Sequence, residues 1–197
     1  MNNSGSIKCE QEQVARYPPS LTSFIPLRLI SLYPLTVPKD ISADKVIPVE
    51  QDMHARFSAK SRTYHYYVHL HKDPFFRNYS CELFYDLDFD RMNEAASMLL
   101  EYEDFAAFCK SNTDVKTTLC NVTEARWIKD GEYNWHFVIT ANRFLRNMVR
   151  AVVGTLIDVG RGRISVADFR AVIEGHRRSG AGESMPGKAL FLENIEY

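Results

Sequence analysis

Three arginines in the second half of the chain are spaced for shared chemistry. Arg143, Arg146 (or Asn147) and Arg150 recur at i, i+3 or i+4, and i+7, which on a helix is one face. They belong to a wider block. Between Ala141 and Gly180 stand eight arginines (143, 146, 150, 161, 163, 170, 177 and 178) against Asp158, Asp168 and Glu174, an excess of +5 without a single lysine. A guanidinium fork can grip phosphate through two parallel hydrogen bonds, which an ammonium cannot. The block reads either as a surface that contacts RNA or as a solvated, arginine-rich helix face. Arg150 lies closest to the apolar side, beside Val149 and Val153. There it either packs its stem on the core with its head in water, or meets a partner that offsets the cost of burying a charge.

A second cluster is His65, His69 and His71, placed by alternation on one strand face. Imidazoles are common metal ligands, but no carboxylate or cysteine accompanies these at ligand spacing, and a polar surface face is the plainer reading. Tyr64 and Tyr66 alternate on the opposite face, as sheet aromatics or as rings for stacking bases. No glycine-rich phosphate loop occurs, and Gly160–Gly162 reads as a helix end. The four cysteines, Cys9, Cys81, Cys109 and Cys120, show no C-x-x-C spacing and read as reduced thiols of a cytoplasmic protein.

These residues need a scaffold. Alternation predicts a strand over Arg62–Leu70. A helix is expected over Asp88–Leu100, capped by Asp88, with Met92, Ala95, Ala96, Leu99 and Leu100 as its stripe. Val122–Ile128 and Tyr133–Thr140 form a hairpin around Asp130-Gly131. A 3.6-residue period through Phe144, Leu145, Met148, Val149, Val152, Val153, Leu156 and Ile157 predicts one helix from Asn142 to Gly160, with Gly160 as its C-terminal cap. A last helix, Val166–Glu174, has Ser165 as cap, and Ala189–Tyr197 is strand-like. This order implies an α+β fold, a mixed and mostly antiparallel sheet with helices on one face.

The chain has 197 residues, 45% of them hydrophobic, and a formal net charge of -1, so any nucleic-acid surface is local. Residues 1–37 read as a leader, polar and disordered through residue 20. The apolar stretch 21–37 is too short and too broken by Arg28, Pro26 and Pro34 to span a bilayer, so no membrane association is expected.

At four points the sequence resembles the TruA family of tRNA pseudouridine synthases. His54-Ala55-Arg56-Phe57-Ser58-Ala59-Lys60-Ser61-Arg62-Thr63-Tyr64-His65-Tyr66 resembles its H-A-R-F-S/D-A-x-x-R-x-Y-x-Y block, and Asp104-Phe105-Ala106-Ala107-Phe108 its D-F-S/T-A/S-F block. Residues 141–150 resemble A-N-x-F-L-x-x-M-V-R, followed by V-G-x-L-x-x-V-G at Val153–Gly160. Residues 186–192 are similar to the A-P-x-x-G-L-x-L block, with Met185 and Ala189 replacing its alanine and glycine. The motifs are ordered and spaced as in the family over residues 38–197, which the resemblance makes the family's C-terminal domain.

The resemblance implies isomerisation of uridine to pseudouridine in the anticodon stem-loop of tRNA, by a homodimer, without metal or small-molecule cofactor. In that chemistry the target base leaves the stack, an aspartate attacks the nucleotide, the glycosidic bond breaks, and C5 of the turned uracil rejoins the sugar. Tyr64 matches the tyrosine that lies against the uracil and is a candidate for handling the C5 proton. Arg150 matches the arginine that pairs with the aspartate. Arg62, Asn142, Arg143, Arg146 and Asn147 are the RNA-binding candidates. The aspartate itself belongs to an R-T-D-x-G-V-H-A loop, and no such string occurs here. Asp40, Asp44 and Asp52 stand only in the connecting region. The chain is therefore expected to be truncated and to make no pseudouridine alone, serving otherwise as an inactive tRNA-binding or dimerisation fragment.

Overall fold

In the computed structural model, residues 41, 48–110 and 116–197 are described. The leader expected over residues 1–37 lies outside them. The chain divides into two compact units, one holding residues 60–196 and the other the described residues up to Ala59 together with Tyr197. In the latter, His54 closes a tight turn: its Nδ1 accepts from the Arg56 N–H at 3.0 Å, while its own N–H donates to Ser58 Oγ at 2.8 Å.

The larger unit is built on five strands: β1 (Ser61–His69), β2 (Cys81–Glu82), β3 (Val122–Lys129), β4 (Asn134–Ala141) and β5 (Leu190–Glu196). β1 is central. β4 pairs antiparallel along its whole length, and β3 closes that side as the other arm of the Asp130-Gly131 hairpin. On its other edge β5 runs antiparallel to Ser61–Tyr66, and short β2 pairs parallel with Val68 and His69. The sheet is thus mixed and mostly antiparallel, as the sequence indicates.

One sheet face carries Tyr66, Val68, Phe137, Ile139 and Trp127, all buried. Three helices lie against this core: α1 (Phe89–Ser97), α2 (Met148–Gly160) and α3 (Val166–Glu174). Local chemistry sets their ends. The Asp88 side chain accepts from the Arg91 N–H, and Ser165 with Asp168 forms a reciprocal capping box. Hydrogen bonds from Ser165 hold the Asp168 carboxyl below the usual range. α1 stops as an α-helix at Ser97 and tightens into a 3₁₀ turn through Glu101, slightly beyond the expected end.

α2 is buried almost all round, with only Arg150 and Asp158 partly exposed. Such a helix needs small residues where its neighbours come close. Gly160 is one, because a Cβ there would sit 2.4 Å from Met92 Sδ on α1. The expectation that Gly160 caps the helix is therefore corrected: Arg161 follows in right-handed geometry, and the left-handed position is Gly162, at φ +67°.

The histidine expectation is also corrected. His71 lies beyond the strand, and His69 is buried, its Nδ1 2.9 Å from Ser80 Oγ and its Nε2 without a hydrogen-bond partner. His65 faces His136, with ring centroids 4.7 Å apart. Among the described residues no three groups gather to hold a metal.

Burial lowers the pKa of His69, and burial followed by the neighbouring His136 lowers that of His65. Both therefore take up a proton more readily in the unfolded chain than in the folded one. The contribution is present above the ordinary histidine value of about 6.5 and is lost as pH falls below it. The melting temperature should fall between pH 7.5 and 5.5, and less steeply in His69→Gln. Equal slopes in the two proteins would show that His69 is not the group involved.

Candidate active site

The 3.6-residue period does not hold where it was read to begin. α2 starts at Met148, and Asn147 before it adopts φ 70°, a left-handed conformation that breaks a right-handed helix. Residues 142–147 form a connecting segment with its own bonds. The Asn142 N–H donates to Asn121 O at 3.1 Å, Asn142 Oδ1 accepts from the Asn121 N–H at 2.8 Å, and Asn142 O accepts from Arg62 Nη1 at 2.8 Å. Phe144 packs against the core and Leu145 is buried within it, but from this segment, so their spacing imitated a helix. Arg143, Arg146 and Arg150 consequently share no helix face. Arg143 is half-buried near Cys120, Arg146 is exposed in a turn, and Arg150 sits in the first turn of α2.

Arg150 is placed by a segment that the periodicity did not reveal. Residues 182–187 cross α2 as a strap. The crossing is tight at Gly154, where a Cβ would lie 1.8 Å from Glu183 O, so no other residue fits without moving one backbone. Beside it, buried Thr155 donates to Ala151 O at 2.8 Å and accepts from the Gly182 N–H at 2.9 Å. The strap then runs along the start of α2. The Met185 N–H donates to Arg150 O at 3.1 Å, and Arg150 Nε returns a bond to Met185 O. Buried Tyr66 donates to Pro186 O at 2.8 Å. Arg150 Nη1 lies 3.9 Å from where a Cβ on Gly187 would stand.

The guanidinium is thus half-buried, with Nε bound to a backbone carbonyl and its Nη edge next to a glycine. Among the described residues no carboxylate bonds it. A fork held in this way is suited to receive an anion bidentately.

Tyr64 stands two residues before Tyr66 on the same strand face. Its ring meets Phe144 edge-on, 5.0 Å between centroids and 87° between planes. The register against β5 shifts between Thr63 and Tyr64, so that Glu193 is an extra residue opposite them, a bulge of the kind that re-aims side chains. Burial raises the Tyr64 hydroxyl above the ordinary tyrosine value, with Arg62 partly offsetting it. At neutral pH the group is a neutral phenol, able to donate or accept a hydrogen bond. Tyr66 is pushed up further by burial. Tyr64 and Arg150 do not bond each other; Tyr66, through Pro186, ties the strand that carries Tyr64 to the strap that holds Arg150.

The other expected contacts divide. Arg62 and Asn142 are joined to each other, and Asn147 Nδ2 donates to Ser184 Oγ. Arg146 projects outward, its carbonyl accepting from the Lys110 N–H at 3.0 Å. In the sequence Tyr66 stood out only as a sheet aromatic and Arg178 only as one of the arginine block, and Thr155 and Ser184 carried no signal of their own. Gly154 was the available signal, since glycine within a buried helix marks a close approach.

A family profile described as tRNA pseudouridine synthase matches residues 95–197, just over half of the chain. The chain belongs to that family. It is 55% identical over 161 residues to the protein named tRNA pseudouridine synthase A of Bacteroides fragilis, covering 82% of this chain and 64% of that one. The protein of the same name from Porphyromonas gingivalis is 53% identical over 162 residues, and that from Bacillus licheniformis 38% over 163. The chain spans 64% of the length of the first two relatives.

Helix propensity alone would favour alanine at position 154 by about 1 kcal/mol. The strap predicts the opposite sign. Gly154→Ala should lower the unfolding free energy by about 1–3 kcal/mol in urea titration, whereas Gly180→Ala, with nothing within 4 Å of the added Cβ, should be neutral. Equal stability of the two variants would contradict the crossing.

Proposed function

We propose that this chain is the RNA-holding, arginine-presenting part of a tRNA pseudouridine synthase, acting on uridine in the anticodon stem-loop, and that alone it makes no pseudouridine. The observation that carries this reading is Arg150, a half-buried guanidinium fixed through Nε, with no carboxylate on it among the described residues. A cation in that position is strongly favoured by a carboxylate partner, and the sequence contains no R-T-D-x-G-V-H string to supply one. Residues 38–197 are read as the family's C-terminal domain, in a homodimer, in the cytoplasm. No helix among the described residues is long and apolar enough to cross a membrane.

In this reading Tyr64 lies against the flipped uracil as a neutral phenol beside Phe144. Arg150 balances the charge of the nucleophilic aspartate and keeps it ionised. No metal or small-molecule cofactor takes part. Arg143 and Arg146 contact phosphate, Arg146 the more exposed of the two, while Arg62, Asn142 and Asn147 shape the same surface through the bonds they make within the protein. The second reading, an inactive tRNA-binding or dimerisation fragment, is favoured by the missing motif and differs only in whether an aspartate is ever supplied.

Two measurements follow. Replacing Arg143 and Arg146 by alanine should weaken tRNA binding and lower the log–log salt slope by about one unit per lost phosphate contact; an unchanged slope in the double variant would mean solvated surface only. Incubation with unmodified tRNA should yield no pseudouridine, because removing a nucleophile abolishes the covalent step even where binding survives. Robust turnover that disappears in Asp40→Ala, Asp44→Ala or Asp52→Ala would show that a local aspartate serves.

A further inference from the structure

Ser184 sits at the middle of the strap, next to the residue whose carbonyl holds Arg150. Two side chains from different elements converge on its hydroxyl. Asn147 donates from the residue preceding α2, and Arg178 Nη2 donates at 2.8 Å. Arg178 also donates from Nη1 to Ala181 O at 3.1 Å and Gly182 O at 3.0 Å. Every acceptor of this half-buried guanidinium is thus on the approach to the strap or on the strap itself. Asn147 reaches Ser184 from a backbone at φ 70°, a conformation that asparagine tolerates better than most residues.

The two donors hold the strap from two different segments. Asn147 ties it to the residue three before Arg150. Arg178 ties it to the turn that leads out of α3. Between these ties and the Tyr66–Pro186 bond, Met185 has little freedom. Its carbonyl position, and with it the direction of the Arg150 fork, follows from where Ser184 is held.

We propose that Asn147 and Arg178, converging on the Ser184 hydroxyl, are positioning residues for Arg150: they set the orientation in which its guanidinium is presented. The proposal rests on the reading of Arg150 as a functional cation, but its test reads the guanidinium itself and so is separate from any test of RNA modification. A planar fork bonded to three acceptors is not replaced by a lysine, so Arg178→Lys is informative. Asn147→Gly keeps the left-handed backbone at no steric cost and removes only the amide donor.

The experiment is nitrogen-detected NMR of the full chain labelled at arginine, with the Arg150 Nε–H assigned by its loss in Arg150→Lys. Ser184→Ala, which removes the acceptor of both donors, should speed solvent exchange of that Nε–H by about tenfold, the effect of losing one net hydrogen bond's worth of constraint. Ser184→Thr keeps the hydroxyl and should restore slow exchange. Melting curves establish that each variant is folded, and should Ser184→Ala fail to fold, Asn147→Gly and Arg178→Lys are read in its place. Unchanged Nε–H exchange in the folded variants overturns the proposal, as does fast exchange in Ser184→Thr equal to that in Ser184→Ala. Absence of tRNA binding with the exchange pattern as expected would count against the proposed function and leave the positioning role standing.

Discussion

The site depends on a missing side chain. At Gly154 a buried helix and a passing backbone come so close that a Cβ would stand 1.8 Å from a carbonyl oxygen. Because nothing protrudes there, the strap can lie flat on α2, and Thr155 can satisfy the Gly182 N–H in the next position. The rest follows along the chain: Met185 meets Arg150, and Pro186 meets Tyr66 on the central strand. Helix, strap and sheet are thereby locked at one point, and that point is where the cation sits.

This arrangement decides what Arg150 can do. A surface arginine would scatter over many rotamers and lose most of its field to water. A fully buried one would need its partner at all times. Half-buried and held by one carbonyl, it keeps its Nη edge oriented while remaining open to an incoming anion. Tyr64, on the same strand as Tyr66, complements it. Its hydroxyl is neutral at pH 7, and burial raises its pKa further, so a fixed positive charge stands with an uncharged aromatic ring. That combination is what the proposed function asks of these two residues, where a base is held out of its helix.

Much of this was legible in the sequence, where local chemistry alone decides the outcome. Asp88 and Ser165 cap the helices they precede, Asp130-Gly131 turns the hairpin, and Tyr64 and Tyr66 share the inner face. The sequence was less informative wherever two distant segments meet. Phe144 and Leu145 match a helical period because the core needs apolar groups there, not because the backbone is helical. Only the left-handed Asn147 reveals that α2 begins later, and asparagine is ambiguous in a sequence. Gly160 looked like a cap because glycine often ends helices, yet it is needed for contact with Met92. The Tyr66, Thr155 and Asn147 bonds to residues 182–186 span sequence separations that no local pattern encodes. The candidates named from family motifs, Tyr64 and Arg150, come from a different kind of signal, because a motif can record such distant constraints indirectly.

Amide hydrogen exchange of the native chain addresses the central claim most directly. If the strap is locked to α2, the Gly182 and Met185 amides, which bond Thr155 Oγ1 and Arg150 O, should show protection comparable to interior α2 amides such as Val153 and Leu156. Exchange of Gly182 and Met185 at the rate of an open loop, with α2 still protected, would mean that the strap is not held and that Arg150 is not fixed by it.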